Sequence, residues 1–80
     1  MTHELKTWPQ YYDSIVSGDK TFEVRKADRT FSVGDTLVLQ CYDPDVAAYM
    51  GQQIEVEVTY ILCGGAFGIK DGFVVMGIKK

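Results

Sequence analysis

Beyond Gly18 this chain reads as β-structure throughout, and that restricts its fold more than any other feature. Ile54, Val56, Val58, Tyr60 and Leu62 line one face of a strand expected over 54–62, with Glu55, Glu57 and Thr59 on the other. Residues 21–26 alternate in the same way. Phe22 and Val24 face one side, and Thr21, Glu23 and Arg25 face the other. Val33-Gly34-Asp35 is a turn into a strand over 36–42 that points Leu37, Leu39 and Cys41 inward. Asp43-Pro44-Asp45 ends that strand, because Pro and Asp favour turns over ladders. The last strand, 73–79, is apolar on both faces at Val74, Val75 and Met76, which suits a central position.

Only the first part of the chain departs from this pattern. Residues 3–6 suit a short edge strand. Trp8, Tyr11, Tyr12, Ile15 and Val16 then fall at i, i+3, i+4, i+7 and i+8, one face of a helix over about 9–17. Pro9 suits the first turn, and Gly18 suits the position just past the end. The aromatic stripe, Trp8 included, reads as core.

Eighty residues make one domain, 1–80, and bury only about 60% of the surface of the unfolded chain. One helix and five or six short strands cannot cover both faces of an open sheet. Curling the sheet into a small barrel, with the N-terminal helix over one opening, solves that and removes most free edges. The expected class is α+β, mainly β. No long apolar run follows Met1, so the expectation is a soluble, cytoplasmic protein, monomeric or weakly dimeric, with no membrane contact.

Charge singles out residues 20–29. Lys20, Arg25, Lys26 and Arg29 oppose Glu23 and Asp28 there, a net of +2 in a chain of net −3. The remainder therefore carries −5. A positive island on an acidic body suits a place where an anion or nucleotide is held. Arg25 offers a planar fork of donors to a phosphate or base edge. Glu23, on the same strand face, can accept from an exocyclic amine. Lys20 follows the helix end and can reach the same place. The plain alternative is a Glu23–Arg25 salt bridge on a wet surface, worth about 0–1 kcal/mol. Lys26 and Arg29 either extend the positive patch along a backbone or are solvated turn charges.

Other candidates are fewer. Phe67, in the glycine-rich run Gly64-Gly65-Ala66-Phe67-Gly68, is the better base-stacking aromatic; Trp8 is the other. That run has no helix after it, so it is not a phosphate loop. His3 reads as structural. Cys41 and Cys63 lie too far apart for a Cys-x-x-Cys motif; they form either one disulfide or, as a cytosolic chain favours, two reduced and mostly buried thiols. With a single histidine, neither a metal nor another cofactor is expected.

The early Leu5-Lys6, the helix ending Ile15-x-x-Gly18, the run Gly18-x-Lys20-Thr21-x-Glu23-x-Arg25 and Phe31-x-Val33-Gly34-Asp35 together resemble the ASCH domain of the PUA-like superfamily. The likeness runs from His3 to about Ile78. It is strongest to a bacterial and phage subfamily carried as a domain of unknown function. That subfamily shares His3-Glu4-Leu5-Lys6, Arg25-Lys26-x-Asp28-Arg29 and Tyr60-Ile61-Leu62-x-Gly64-Gly65. The resemblance implies a small β-barrel with a cleft beside the helix, lined by the strand that carries Lys20, Glu23 and Arg25. It implies RNA or a nucleotide-like ligand as partner, with Lys6 flanking the cleft. Some small ASCH proteins are amidohydrolases on N4-acetylated cytidine nucleosides. Their catalytic lysine maps onto Lys20, but their catalytic threonine falls on Glu23. Their catalytic glutamate lies in a longer segment that the glycine-rich loop replaces here. The resemblance therefore favours binding over catalysis, with a protein-interaction module as a third reading. If the chain is an enzyme, Lys20 and Glu23 are the residues to carry it.

Overall fold

The computed structural model describes residues 1–80. Elements run β1 (Thr2–Thr7), α1 (Pro9–Ser17), β2 (Phe22–Lys26), β3 (Thr36–Asp43), β4 (Ala48–Cys63) and β5 (Phe73–Lys79). The strands form one sheet in the order β1-β3-β4-β5-β2. Only the β1–β3 pair is parallel. The sheet curls into a half-barrel, mainly β with one helix. Its edges, β1 and β2, share no backbone ladder.

Helix α1 begins at Pro9 after an extended Trp8 (φ −63°, ψ 147°), so Trp8 precedes the helix and does not join its buried face. The five apolar side chains span an arc of about 140° at 100° per residue. Tyr12 and Ile15 lie in the middle of that arc and are buried; Tyr11 and Val16 lie at its margins and are half-exposed. The core expected of the whole stripe is thus two residues wide. Gly18 ends the helix at φ 90°, where a side chain would be strained. The Lys20 N–H then donates back to the Ser14 carbonyl at 2.9 Å, which fixes Lys20 directly behind the helix end.

Leu5, Ile15, Leu37, Leu39, Val56, Val58, Val74, Met76 and Ile78 make the core, filled from the concave side of the sheet. Strand β4 departs from simple alternation. Val58 pairs with Ile78 and Tyr60 with Gly77, so Thr59 is an extra residue on β4. The bulge reverses the faces beyond it. Ile61 packs on the core, and Tyr60, expected inside, is exposed. β4 also starts earlier than expected, because 48–53 pairs with β3 in a hairpin whose residues are mostly exposed and carry no apolar period. Cys41 is buried and Cys63 exposed; both are free thiols, so the expected shared burial holds for one of them.

Asp35 ties the start of the chain to the β3 turn. Its carboxylate accepts from His3 Nε2 at 2.8 Å, from the Met1 ammonium at 3.0 Å and from the Ser32 N–H at 2.9 Å. His3 is buried and stands on the Phe31 ring, centroids 4.8 Å apart, which bears out its structural role. The His3 hydrogen bond, then the ammonium and the Ser32 N–H, lower the Asp35 carboxyl from its ordinary 3.8 to about 2, against the opposing effect of burial. A lowered carboxyl stabilises the fold above its unfolded value. That contribution is lost as pH falls from about 4 to about 2. Urea midpoints measured across that window are expected to drop steeply. In Asp35→Asn they are expected to start lower and drop less; an equally steep decline in the variant would assign the acid sensitivity elsewhere.

No helix is long and apolar enough to cross a membrane. No group of three or more His, Cys, Asp or Glu side chains is placed to hold a metal.

Candidate functional site

Register decides which way β2 faces. Glu23 pairs with Met76 and Arg25 with Val74, and both partners are buried on the concave side of β5. Side chains of paired residues share a face, so the polar set of β2 points inward and the apolar set outward. Glu23 is 3% exposed, whereas Phe22 is 46% and Val24 51% exposed. The Glu23–Arg25 pair is therefore not on a wet surface, although Thr21, Phe22 and Val24 are exposed. β2 puts a carboxylate inside the molecule.

That carboxylate lies between two cations. Lys20 Nζ donates to Glu23 Oε1 at 2.8 Å and to the Phe22 carbonyl at 2.8 Å. Arg25 Nε donates to Glu23 Oε2 at 2.9 Å. Arg25 Nη2 crosses to the other edge strand, to the Lys6 carbonyl at 2.8 Å and Thr7 Oγ1 at 3.3 Å. One guanidinium thus spans the gap between β1 and β2. These bonds use Nε and Nη2 and leave Nη1 free to donate. Lys20, Glu23 and Arg25 sum to one positive charge. Every buried side-chain polar atom has a partner, so the burial of Glu23 is compensated.

Aromatic rings surround the charges. Lys20 Nζ lies 4.9 Å from the Phe22 ring centre and 5.7 Å from that of Tyr11. Trp8 and Tyr11 stack on each other at 6.0 Å and 21°. An open cleft of about 430 Å³ lies between these rings and the ion triad, bounded also by Lys6, Thr7 and Val24. Beside it is a second groove of about 420 Å³, into which Lys26 and Arg29 face. Lys6 and Arg25 line both. Lys6 Nζ stands 4.5 Å from the Tyr42 ring centre.

The structure brings together Lys6, Lys20, Glu23 and Arg25 in the first cleft and places Lys26 and Arg29 in the second. Phe67, 88% exposed in the loop between β4 and β5, lines neither. The rings that line the first cleft are those of Trp8, the other stacking candidate, with Tyr11 and Phe22; the helical period assigns Trp8 and Tyr11 to the core. Pro9 was the available signal: it begins the helix and so leaves residue 8 outside it.

A family model described as a domain of unknown function, DUF3850, matches residues 2–78. The chain is 37% identical over 57 residues to a protein of Escherichia phage P2 described as an uncharacterized 12.9 kDa protein in the GpA 3′ region. The match covers 71% of this chain and 50% of the phage protein, so the chain spans about half the length of that relative.

Proposed function

We propose that this chain, which belongs to the DUF3850 family, binds a nucleotide-like ligand or a segment of RNA in the cleft between Trp8, Tyr11 and Phe22 and the Lys20–Glu23–Arg25 triad. The observation that carries this reading is the pairing of half-exposed rings with a buried, charge-compensated carboxylate at one opening. A half-exposed ring at this opening can stack on a base, a contact worth about 1–3 kcal/mol. Glu23 retains lone pairs to accept an exocyclic amine such as cytosine N4. Arg25 Nη1 and Lys6 supply positive charge for a phosphate. The resemblance to ASCH domains of the PUA-like superfamily supports the same reading, since it implies a cleft beside the helix lined by this strand.

The amidohydrolase reading has weaker support. Lys20 Nζ donates to two acceptors within the ion triad, a geometry that ties it to Glu23 and Phe22 rather than aiming it at a substrate carbonyl. No serine, cysteine or histidine lines the cleft. Release of cytidine from N4-acetylcytidine, abolished by Lys20→Ala, would restore that reading. A stoichiometric protein partner, recovered after nuclease treatment, would favour an interaction module.

Trp8 is the only tryptophan, so its emission reports on the cleft directly. Cytidine 5′-monophosphate and short RNAs are expected to quench it saturably at low salt. Arg25→Ala and Lys20→Ala, confirmed folded by circular dichroism, are each expected to weaken binding about tenfold. For an RNA segment contacting three phosphates, the log–log salt slope is expected near about −2. Absence of quenching by every nucleotide and RNA at low salt would remove the proposal, as would unchanged affinity in both variants.

A further inference from the structure

The groove beyond the Lys6–Arg25 pair differs in chemistry from the cleft before it. The first cleft has three aromatic rings and one carboxylate on its floor. The second has four cations, Lys6, Arg25, Lys26 and Arg29, against Glu4 and Asp28. Both acids are engaged: Gln40 Nε2 donates to Glu4 Oε2 at 3.4 Å, and Arg29 Nε stands 3.7 Å from Asp28 Oδ1. Arg25 is already paired with Glu23, so one positive charge remains uncompensated by that count. Each space is at the low end of the about 300–1,000 Å³ typical of small-ligand sites. Each therefore suits a single unit of a polymer. Because Lys6 and Arg25 line both, a ligand leaving the aromatic cleft passes over them into the basic groove.

We infer that the second groove, through Lys26 and Arg29, holds the next phosphate of a single-stranded oligonucleotide whose base occupies the aromatic cleft. This rests on the reading of the first cleft and adds to it a ligand class, a strand of at least two nucleotides rather than a free mononucleotide. A single strand is favoured over a duplex because the aromatic cleft takes an unstacked base. The basic groove reads no sequence. It adds charge-dependent affinity along the backbone.

The test is a length series at low salt of 5′-phosphorylated strands, cytidine 5′-monophosphate, pCpC and pCpCpC (CpC and CpCpC below), in which each step adds one phosphate, read by Trp8 emission and, independently of quenching, by titration calorimetry. In the parent protein affinity is expected to rise about tenfold from the mononucleotide to CpCpC. In Lys26→Ala/Arg29→Ala, two substitutions at exposed positions, the ratio of the two affinities is expected to fall to about one. Equal affinities across the series in the parent would overturn the inference, and so would a length gain that survives in the double variant. A decaglutamate peptide that binds the parent as tightly as CpCpC would also overturn it, because the groove would then accept any polyanion. If CpCpC binds in a Lys26- and Arg29-dependent way without quenching Trp8, the groove stands and the base slot falls. If the mononucleotide quenches Trp8 but no length gain exists, the slot stands and the groove falls.

Discussion

Glu23→Ala is expected to lower the unfolding free energy by about 3 kcal/mol, the low end for a buried ion pair left without one partner. The figure is at the low end because the Lys20 and Arg25 side chains retain 17% and 24% of their exposure and recover some hydration. The loss falls on both cations at once, since Glu23 is the carboxylate each of them bonds. Chains of this length have roughly 4–12 kcal/mol of stability, so the variant loses a quarter or more of it. At roughly 4–8 °C per kcal/mol, the melting temperature is expected to fall by about 12–24 °C. Glu23→Gln keeps the shape and one acceptor and is expected to fall between the variant and the parent. A Glu23→Ala melting point within about 4 °C of the parent would mean that the carboxylate is solvated, and that the cleft has no charged floor.

Gly64→Ala is expected to cost about 3 kcal/mol for a different reason, the upper end of the overpacking range. A Cβ at Gly64 would coincide with the Lys70 carbonyl oxygen and come within 2.8 Å of the Phe73 carbonyl oxygen. Both are backbone atoms, so no rotamer relieves the clash. The Gly64 N–H donates to that same Phe73 oxygen at 2.7 Å, which draws the two chains together where β4 leaves the sheet. Gly68→Ala is the matched control. It has a positive φ of 78° and open space around it, so it bears only the backbone strain, about 1–2 kcal/mol. Thermal melts of the two variants side by side decide the matter. A Gly64→Ala cost no larger than that of Gly68→Ala would refute the close approach.

Much of the fold was legible because the relevant signals are local. Helix α1 has its expected bounds, set by Pro9 and Gly18, and Leu37, Leu39 and Cys41 point inward as their spacing requires. β5, apolar on both faces, lies between two other strands. What local pattern does not carry is which of two alternating faces turns inward. On β2 the apolar set, Phe22 and Val24, would ordinarily be buried. Pairing with β5 reversed that, and only the long-range register of Glu23 with Met76 expresses it. The extra residue Thr59 is likewise invisible in a run that alternates without a break. The site was legible in its composition, since Lys6, Lys20, Glu23 and Arg25 do converge on one cleft. Its aromatic side was legible only in part: Pro9 places Trp8 ahead of the helix, but a helical period cannot tell that Tyr11, at the margin of the arc, is half-exposed.

The Arg25 guanidinium that bridges the two edge strands also lines the first cleft. Position 25 therefore serves two ends at once, the closure of the sheet and the lining of the cleft. Glu23 and Lys20 share that double role through their bonds to each other and to Phe22. Trp8, Tyr11 and the Phe22 ring stand half-exposed at the opening, and their side chains hold none of the strands together. Substitutions at the rim are therefore expected to change the lining of the cleft at little cost in stability, whereas those at its charged floor change the lining and the stability together.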